Sequence, residues 1–261
     1  MASSQGRRLL ASGLALAAVS VGAGFLAVQA GALRGGSSAK PQTSHLARHA
    51  AVVNLTRWRQ IGYWAHAAHF VPVHAQPSLD SPVVAKLHSL TEDGFPEVYL
   101  VLSRLTTPDG RTWLKIALPM RPNGTTGWVV HAALGTLHAV RTWLVIDRSR
   151  LRARFYERNH EVWSAPVGIG KPSTPTPTGL YWVREEFQLT NQPFYGPYAF
   201  GTSAYANISE WPGGGVVGLH GTSLPNLIPG RPSHGCVRFH NQDILWLAYH
   251  MPVGTPISIV G

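Results

Sequence analysis

The chain has 261 residues, a formal net charge of +10, 44% hydrophobic residues and 13% charged residues. That balance is too apolar and too weakly charged for a disordered chain, and the length suffices for a buried core and about two domains. Residues 1–58 hold six Lys and Arg and no Asp or Glu, more than half of the excess charge; this speaks against a nucleic-acid partner, and the single Cys excludes an internal disulfide and any multi-Cys zinc site.

Arg7 and Arg8 precede an uncharged run over 9–33 that is mostly Ala, Leu, Val and Gly. Ala27-Val28-Gln29-Ala30 has the small-x-small form of a cleavage site. Residues 1–34 are therefore expected to be a signal peptide or, uncleaved, a membrane anchor with its basic end in the cytoplasm. No Cys follows the run, so a lipoprotein anchor is excluded. Residues 35–60, opening on Gly35-Gly36-Ser37-Ser38, read as a linker. The rest of the chain is expected to be extracytoplasmic, touching a membrane only through its N-terminal segment.

Over 61–136, short Val-, Leu- and Tyr-rich runs at 82–87, 96–102, 113–118 and 127–130 alternate with Pro and Gly turns. Pro108-Asp109-Gly110 sits between two runs, as in a hairpin. Several short strands in so few residues predict a small β-barrel. With the Ala-x-Pro-Ser start at 75–78, Trp113-Leu114-Lys115-Ile116 and Gly127-Trp128-Val129, the segment resembles bacterial barrels of the Src-homology type. That resemblance implies a wall-binding or spacing role. Its histidines are scattered and form no catalytic group.

Residues 137–261 also read as mainly β. A strand is expected at 143–147, a turn at 157–160 and a further strand at 162–169. Arginines at 148, 150, 152 and 154 alternate, so they are expected on one solvated strand face. One helix is expected at 241–249, capped by Asn241, with Ile244, Leu245, Leu247 and Ala248 on its apolar side.

The chemistry concentrates between Gly218 and Phe239. A reactive thiol needs a base or a positive charge beside it. Cys236 has His220 before it in sequence and His234 two positions away, so either could serve. His234-Gly235-Cys236 also sets backbone N–H groups beside the sulfur, which suits an oxyanion site. A zinc site from His220, His234 and Cys236 is the weaker reading, because ligands as close as His-x-Cys are strained and no carboxylate is near.

His220-Gly221-Thr222 followed by Ser233-His234-Gly235-Cys236-Val237-Arg238 resembles the signature of the L,D-transpeptidase catalytic domain. The segment Gly170-Lys171-Pro172-Ser173-Thr174-Pro175-Thr176-Pro177-Thr178-Gly179 and Tyr195-Gly196-Pro197-Tyr198-Ala199-Phe200 resemble that family's sequences before the active site. The resemblance implies a β-sandwich catalytic domain with one or two helices, no cofactor and no metal. It implies Cys236 as nucleophile, His220 as base, the Gly221 carbonyl orienting His220, and His234 and Gly235 shaping the oxyanion site. Tyr198, Thr222, Ser233 and Arg238 would contact substrate, with Tyr198 and Trp211 in a lid. The reaction implied cross-links peptidoglycan peptide stems between their third residues, a step of cell wall biogenesis and cell shape, and carbapenems would acylate the same Cys236. An L,D-carboxypeptidase or other cysteine peptidase, and a non-enzymatic wall-binding protein, remain the competing readings.

Overall fold

β-branched and aromatic runs bounded by Gly and Pro turns build two sheets that follow each other along the chain. The structure, a computed structural model, describes residues 51–210 and 212–261. The expected leader, the first part of the linker and Trp211 lie outside the described residues.

The first sheet comprises β1 (Val53–Asn54), β2 (Gly62–Ala65), β3 (Pro72–His74), β4 (Val83–Lys86), β5 (Tyr99–Thr106), β6 (Thr112–Ala117), β7 (Thr126–Val130) and β8 (His138–Val140). Its order is β4-β3-β7-β6-β5-β2-β8, with β1 on β5. The runs expected at 82–87, 113–118 and 127–130 are β4, β6 and β7; that expected at 96–102 starts later, as β5. The β5–β6 turn falls where Pro108-Asp109-Gly110 placed it, and Gly110 takes the left-handed φ of +84° that the tight turn needs. Val73, Tyr99, Val101, Leu114, Ile116 and Val129 form the core of this half.

The second sheet comprises β9 (Thr142–Asp147), β10 (Arg152–Glu157), β11 (His160–Pro166), β12 (Gly168–Gly170), β13 (Gly179–Gln188), β14 (Tyr198–Tyr205), β15 (Val216–His220), β16 (Gly230–Ser233), β17 (Val237–Arg238) and β18 (Pro256–Val260). Helix α1 covers Asn241–His250. The strand order is β11-β10-β9-β18-β13-β14-β15-β17-β12-β16. β13 belongs to both ends of this path: 179–182 pair with β18, while 183–188 pair with β14 past a register shift between Val183 and Glu185. The two ends close over one core, in which Leu144, Phe155, Phe200, Leu219 and Val237 meet Ile244 and Leu247 of α1. The architecture is mainly β with one α-helix among the described residues.

Three local expectations need correction. Arg148 and Arg150 lie in the turn after β9, and only Arg152 and Arg154 lie on β10, so no four-arginine stripe forms. Arg148 instead donates to the carbonyls of Thr176 and Gly261. Asn241 does not cap α1; the capping position is His240, and Asn241 Oδ1 accepts the Thr222 N–H at 2.8 Å. Leu245 is exposed, because 3.6-residue periodicity turns it away from the face of Ile244 and Leu247.

The described residues fall in one compact unit, and the sheets meet across a seam of polar and aromatic groups. Trp182 Nε1 donates to the Val98 carbonyl at 2.7 Å. Arg184 is buried, with Nε 2.8 Å from Glu97 Oε1 and Nη2 2.8 Å from Glu92 Oε2. Removing one member of a buried pair leaves the other charge without compensation. Arg184→Ala is therefore expected to cost about 3–5 kcal/mol in urea unfolding, whereas Arg184→Met combined with Glu97→Leu should cost much less. Equal losses in the two proteins would show that the charges do not compensate each other.

Candidate active site

Two short strands set the geometry. β15 and β17 run parallel, with Leu219 opposite Val237 and His220 opposite Arg238. One step earlier, Gly218 N–H donates to Cys236 Sγ at 3.4 Å. Residues two apart on a strand share a face, so His220 stands on the face that Gly218 leaves empty. Cys236 Sγ and His220 Cδ2 each lie 3.9 Å from the point where a Gly218 side chain would begin. Gly218 is thus the gap across which thiol and imidazole face each other.

His220 is buried, and its Nδ1 lies 2.6 Å from the Gly221 carbonyl oxygen. A carbonyl can only accept, so Nδ1 carries the hydrogen and Nε2 keeps its lone pair. Burial pulls the imidazole down to about 4, opposed by the Gly221 hydrogen bond and aided by the charge of Arg238. Burial pushes the Cys236 thiol up, opposed by the Gly218 N–H and by Arg238. At neutral pH the pair is therefore uncharged: a free base beside a protonated thiol.

The nucleophile loop is braced from inside. Gly235 adopts a φ of +133°, and a side chain there would begin 2.8 Å from Ala206 Cβ, so only glycine fits. Gly235 N–H donates to Ser233 Oγ at 3.1 Å, and Ser233 Oγ donates to the Cys236 carbonyl at 2.6 Å. Thr176, fully buried, accepts the Gly170 N–H at 2.9 Å and donates to the Gly235 carbonyl at 2.7 Å. The stretch from Gly170 to Thr176 is thus the floor of the loop. Lys171 Nζ lies 2.9 Å from His234 Nε2, so the ammonium engages the lone pair that His234 would need as a base toward Cys236.

Cys236, His220, Ser233, His234 and Arg238 all line one cavity of about 310 Å³. Phe194 and Tyr195 form its other wall; Tyr195 meets the His220 ring edge-on at 4.9 Å and Arg238 lies over Phe194 at 4.8 Å. Among the described residues no carboxylate lines this cavity, and none supplies an acceptor to Arg238 Nε. A second cavity of about 290 Å³ opens on the same Cys236 and His220, and it is lined by Asp93 and Glu185. Glu185 accepts from Thr91 Oγ1; burial pushes its carboxyl up, opposed by the Thr91 bond and reinforced by Asp93.

Other expected residues sit elsewhere. Tyr198 points its hydroxyl at Glu186 and lines neither cavity; Tyr195, three residues earlier, takes that place. Thr222 is buried, its hydroxyl accepting the Leu224 N–H. Ser233 lines the first cavity, and its hydroxyl accepts the Gly235 N–H. Among the described residues, no three His, Cys, Asp or Glu side chains gather as a metal site. Sequence reasoning missed Phe194, Tyr195, Lys171 and Glu185; the aromatic pair before Gly196 was the available signal.

Residues 141–259 match the model of the L,D-transpeptidase catalytic domain, YkuD. The matched stretch includes Cys236, His220 and the segments that brace them. A Bacillus licheniformis protein named as an L,D-transpeptidase, YkuD, is 37% identical over 106 residues, or 41% of this chain and 58% of its own length. The solved structure of Bdellovibrio bacteriovorus Bd1075 is 31% identical with a TM-score of 0.38, covering 46% of this chain and 48% of that one. The structure of the L,D-transpeptidase LdtMt1 in complex with imipenem is 18% identical with a TM-score of 0.39, covering 81% and 91%. The chain spans a little over half the length of the Bacillus relatives it matches.

An uncharged pair makes a definite kinetic prediction. The thiolate of Cys236 forms only above the ordinary thiol range, because its pKa is raised, and His220 is already neutral well below pH 7. Alkylation of Cys236 by a small neutral reagent should therefore climb about tenfold per pH unit through neutrality without a plateau. A plateau centred below pH 7 would reveal a preformed thiolate–imidazolium pair and overturn this description.

Proposed function

We propose that residues 137–261 are a cysteine acyltransferase that cross-links peptidoglycan peptide stems between their third residues. The observation that carries this reading is the Cys236–His220 pair facing across Gly218, with the Nε2 lone pair free of the Gly221 carbonyl. Cys236 Sγ attacks the carbonyl of the third, diamino-acid residue while His220 Nε2 takes the thiol proton. The imidazolium returns that proton to the departing D-Ala amine, leaving a thioester. The side-chain amine of a second stem then attacks; His220 takes its proton and passes it to the released sulfur. Thiol and base suffice for these steps, so no metal or organic cofactor is invoked.

The two cavities support transfer to an amine over transfer to water. The carboxylate-free cavity, with Arg238 Nε unpaired, suits the carboxylates of the donor stem. The cavity with Asp93 and Glu185 suits an ammonium-bearing acceptor. Phe194 and Tyr195 replace Tyr198 as the aromatic contacts of the substrate. Carbapenem-type inhibitors would be attacked by the same sulfur. We further propose that the N-terminal segment exports or anchors the chain, so that it works outside the cytoplasmic membrane on the cell wall.

Mass spectrometry of tetrapeptide stems incubated with the protein tests the reading. Wild type should yield cross-linked dimers with release of D-Ala, and Cys236→Ala should yield none while keeping its circular dichroism. Glu185→Gln should raise the share of hydrolysed tripeptide over dimer several-fold. Tripeptide as the sole wild-type product would make the protein a carboxypeptidase, and dimer formation by Cys236→Ala would remove the mechanism altogether.

A further inference from the structure

The wall of the Cys236 cavity formed by Ala206, Ile208 and Gly215 is held by a residue from the other sheet. Arg121 lies in the connection between β6 and β7, far from the catalytic signature in sequence. Its Nη2 faces three carbonyl oxygens of that wall: Ala206 at 2.9 Å, Ile208 at 3.2 Å and Gly214 at 2.9 Å. Its guanidinium also lies over the Tyr205 ring at 4.7 Å. Beside it, Asn123 bonds both sides of Tyr205, donating to the carbonyl at 2.8 Å and accepting the N–H at 3.0 Å.

The wall leads directly to the nucleophile. The Ala206 N–H donates to the Gly215 carbonyl at 2.8 Å, closing the loop on itself. Ala206 Cβ in turn abuts Gly235, the residue before Cys236, so closely that no side chain fits between them. A shift of Ala206 therefore displaces one wall of the cavity and the turn that aims the sulfur across it.

We propose that Arg121 is a positioning residue for acyl transfer, acting through Ala206 on the cavity and on the Gly235–Cys236 turn. The first sheet is then a structural part of the active site as well as a neighbour of it. A guanidinium suits this place because it is planar, always charged, and can present N–H groups to several oxygens at once. Three carbonyl oxygens meeting at one point would otherwise repel each other.

This inference rests on the acyltransferase reading, and the test separates the two. Three quantities are measured on the full chain: the rate of Cys236 acylation by a carbapenem, the rate of alkylation by a small reagent, and acylation after adding millimolar guanidinium. In Arg121→Ala, acylation should fall about tenfold, because the reacting groups lose their alignment with a bulky acyl donor. Alkylation, which needs no cavity wall, should stay within twofold. Arg121 is exposed, so added guanidinium can reach the vacated place and should restore much of the acylation, while ammonium should not. If Arg121→Ala misfolds, Arg121→Lys provides the second variant, with an intermediate loss of acylation and unchanged alkylation. Unchanged acylation in a folded variant, or equal loss of acylation and alkylation without rescue, overturns the role of Arg121. Absence of acylation in wild type would instead overturn the acyltransferase reading.

Discussion

Everything in the site depends on the parallel pairing of β15 with β17. It sets Cys236 beside Gly218 and His220 one strand period further along the same face. Side chains on parallel neighbours stand several ångströms apart, and the missing side chain at Gly218 opens the space between them. The pairing also puts Arg238 opposite His220, so a cation stands beside both the base and the sulfur. A register slip of one residue would turn His220 to the other face and dismantle the pair. The bonds from Thr176, Ser233 and Lys171 to the nucleophile loop hold that register.

Burial then decides the charge state. The same low-polarity surroundings that push the Cys236 thiol up pull the His220 imidazole down, so neither carries charge at rest. Arg238 favours the thiolate and disfavours the imidazolium, yet burial outweighs it on the sulfur. Among the described residues, only the second of the two cavities is lined by carboxylates, Asp93 and Glu185, and both cavities converge on Cys236.

The parts of the site legible in the sequence were those fixed by local chain geometry. Cys236, His220 and the Gly221 carbonyl lie in two short motifs, and the fold brings the first two to one cavity with the His220 ring against the Gly221 carbonyl. What was not legible depends on partners remote in sequence. Asn241 has the composition of a helix cap, but the Thr222 N–H competes for its side chain and wins. Arg148 has the spacing of a strand residue, but the chain turns after Asp147 and its guanidinium reaches Gly261. Tyr195 and Tyr198 are indistinguishable by type; only the fold shows that Tyr195 meets His220 while Tyr198 meets Glu186. Arg184 and Arg121 read as ordinary charges because Glu97 and the Ala206 carbonyl are so far away along the chain.

The burial of Cys236 has a consequence for the lifetime of the molecule. Peroxide oxidation and disulfide exchange both proceed through the thiolate, so a thiol held protonated reacts slowly with either. A thiol held as the thiolate drifts more readily toward sulfenic acid or a mixed disulfide. The surroundings that keep the proton on the sulfur thus also act as a chemical preservative, slowing its oxidation.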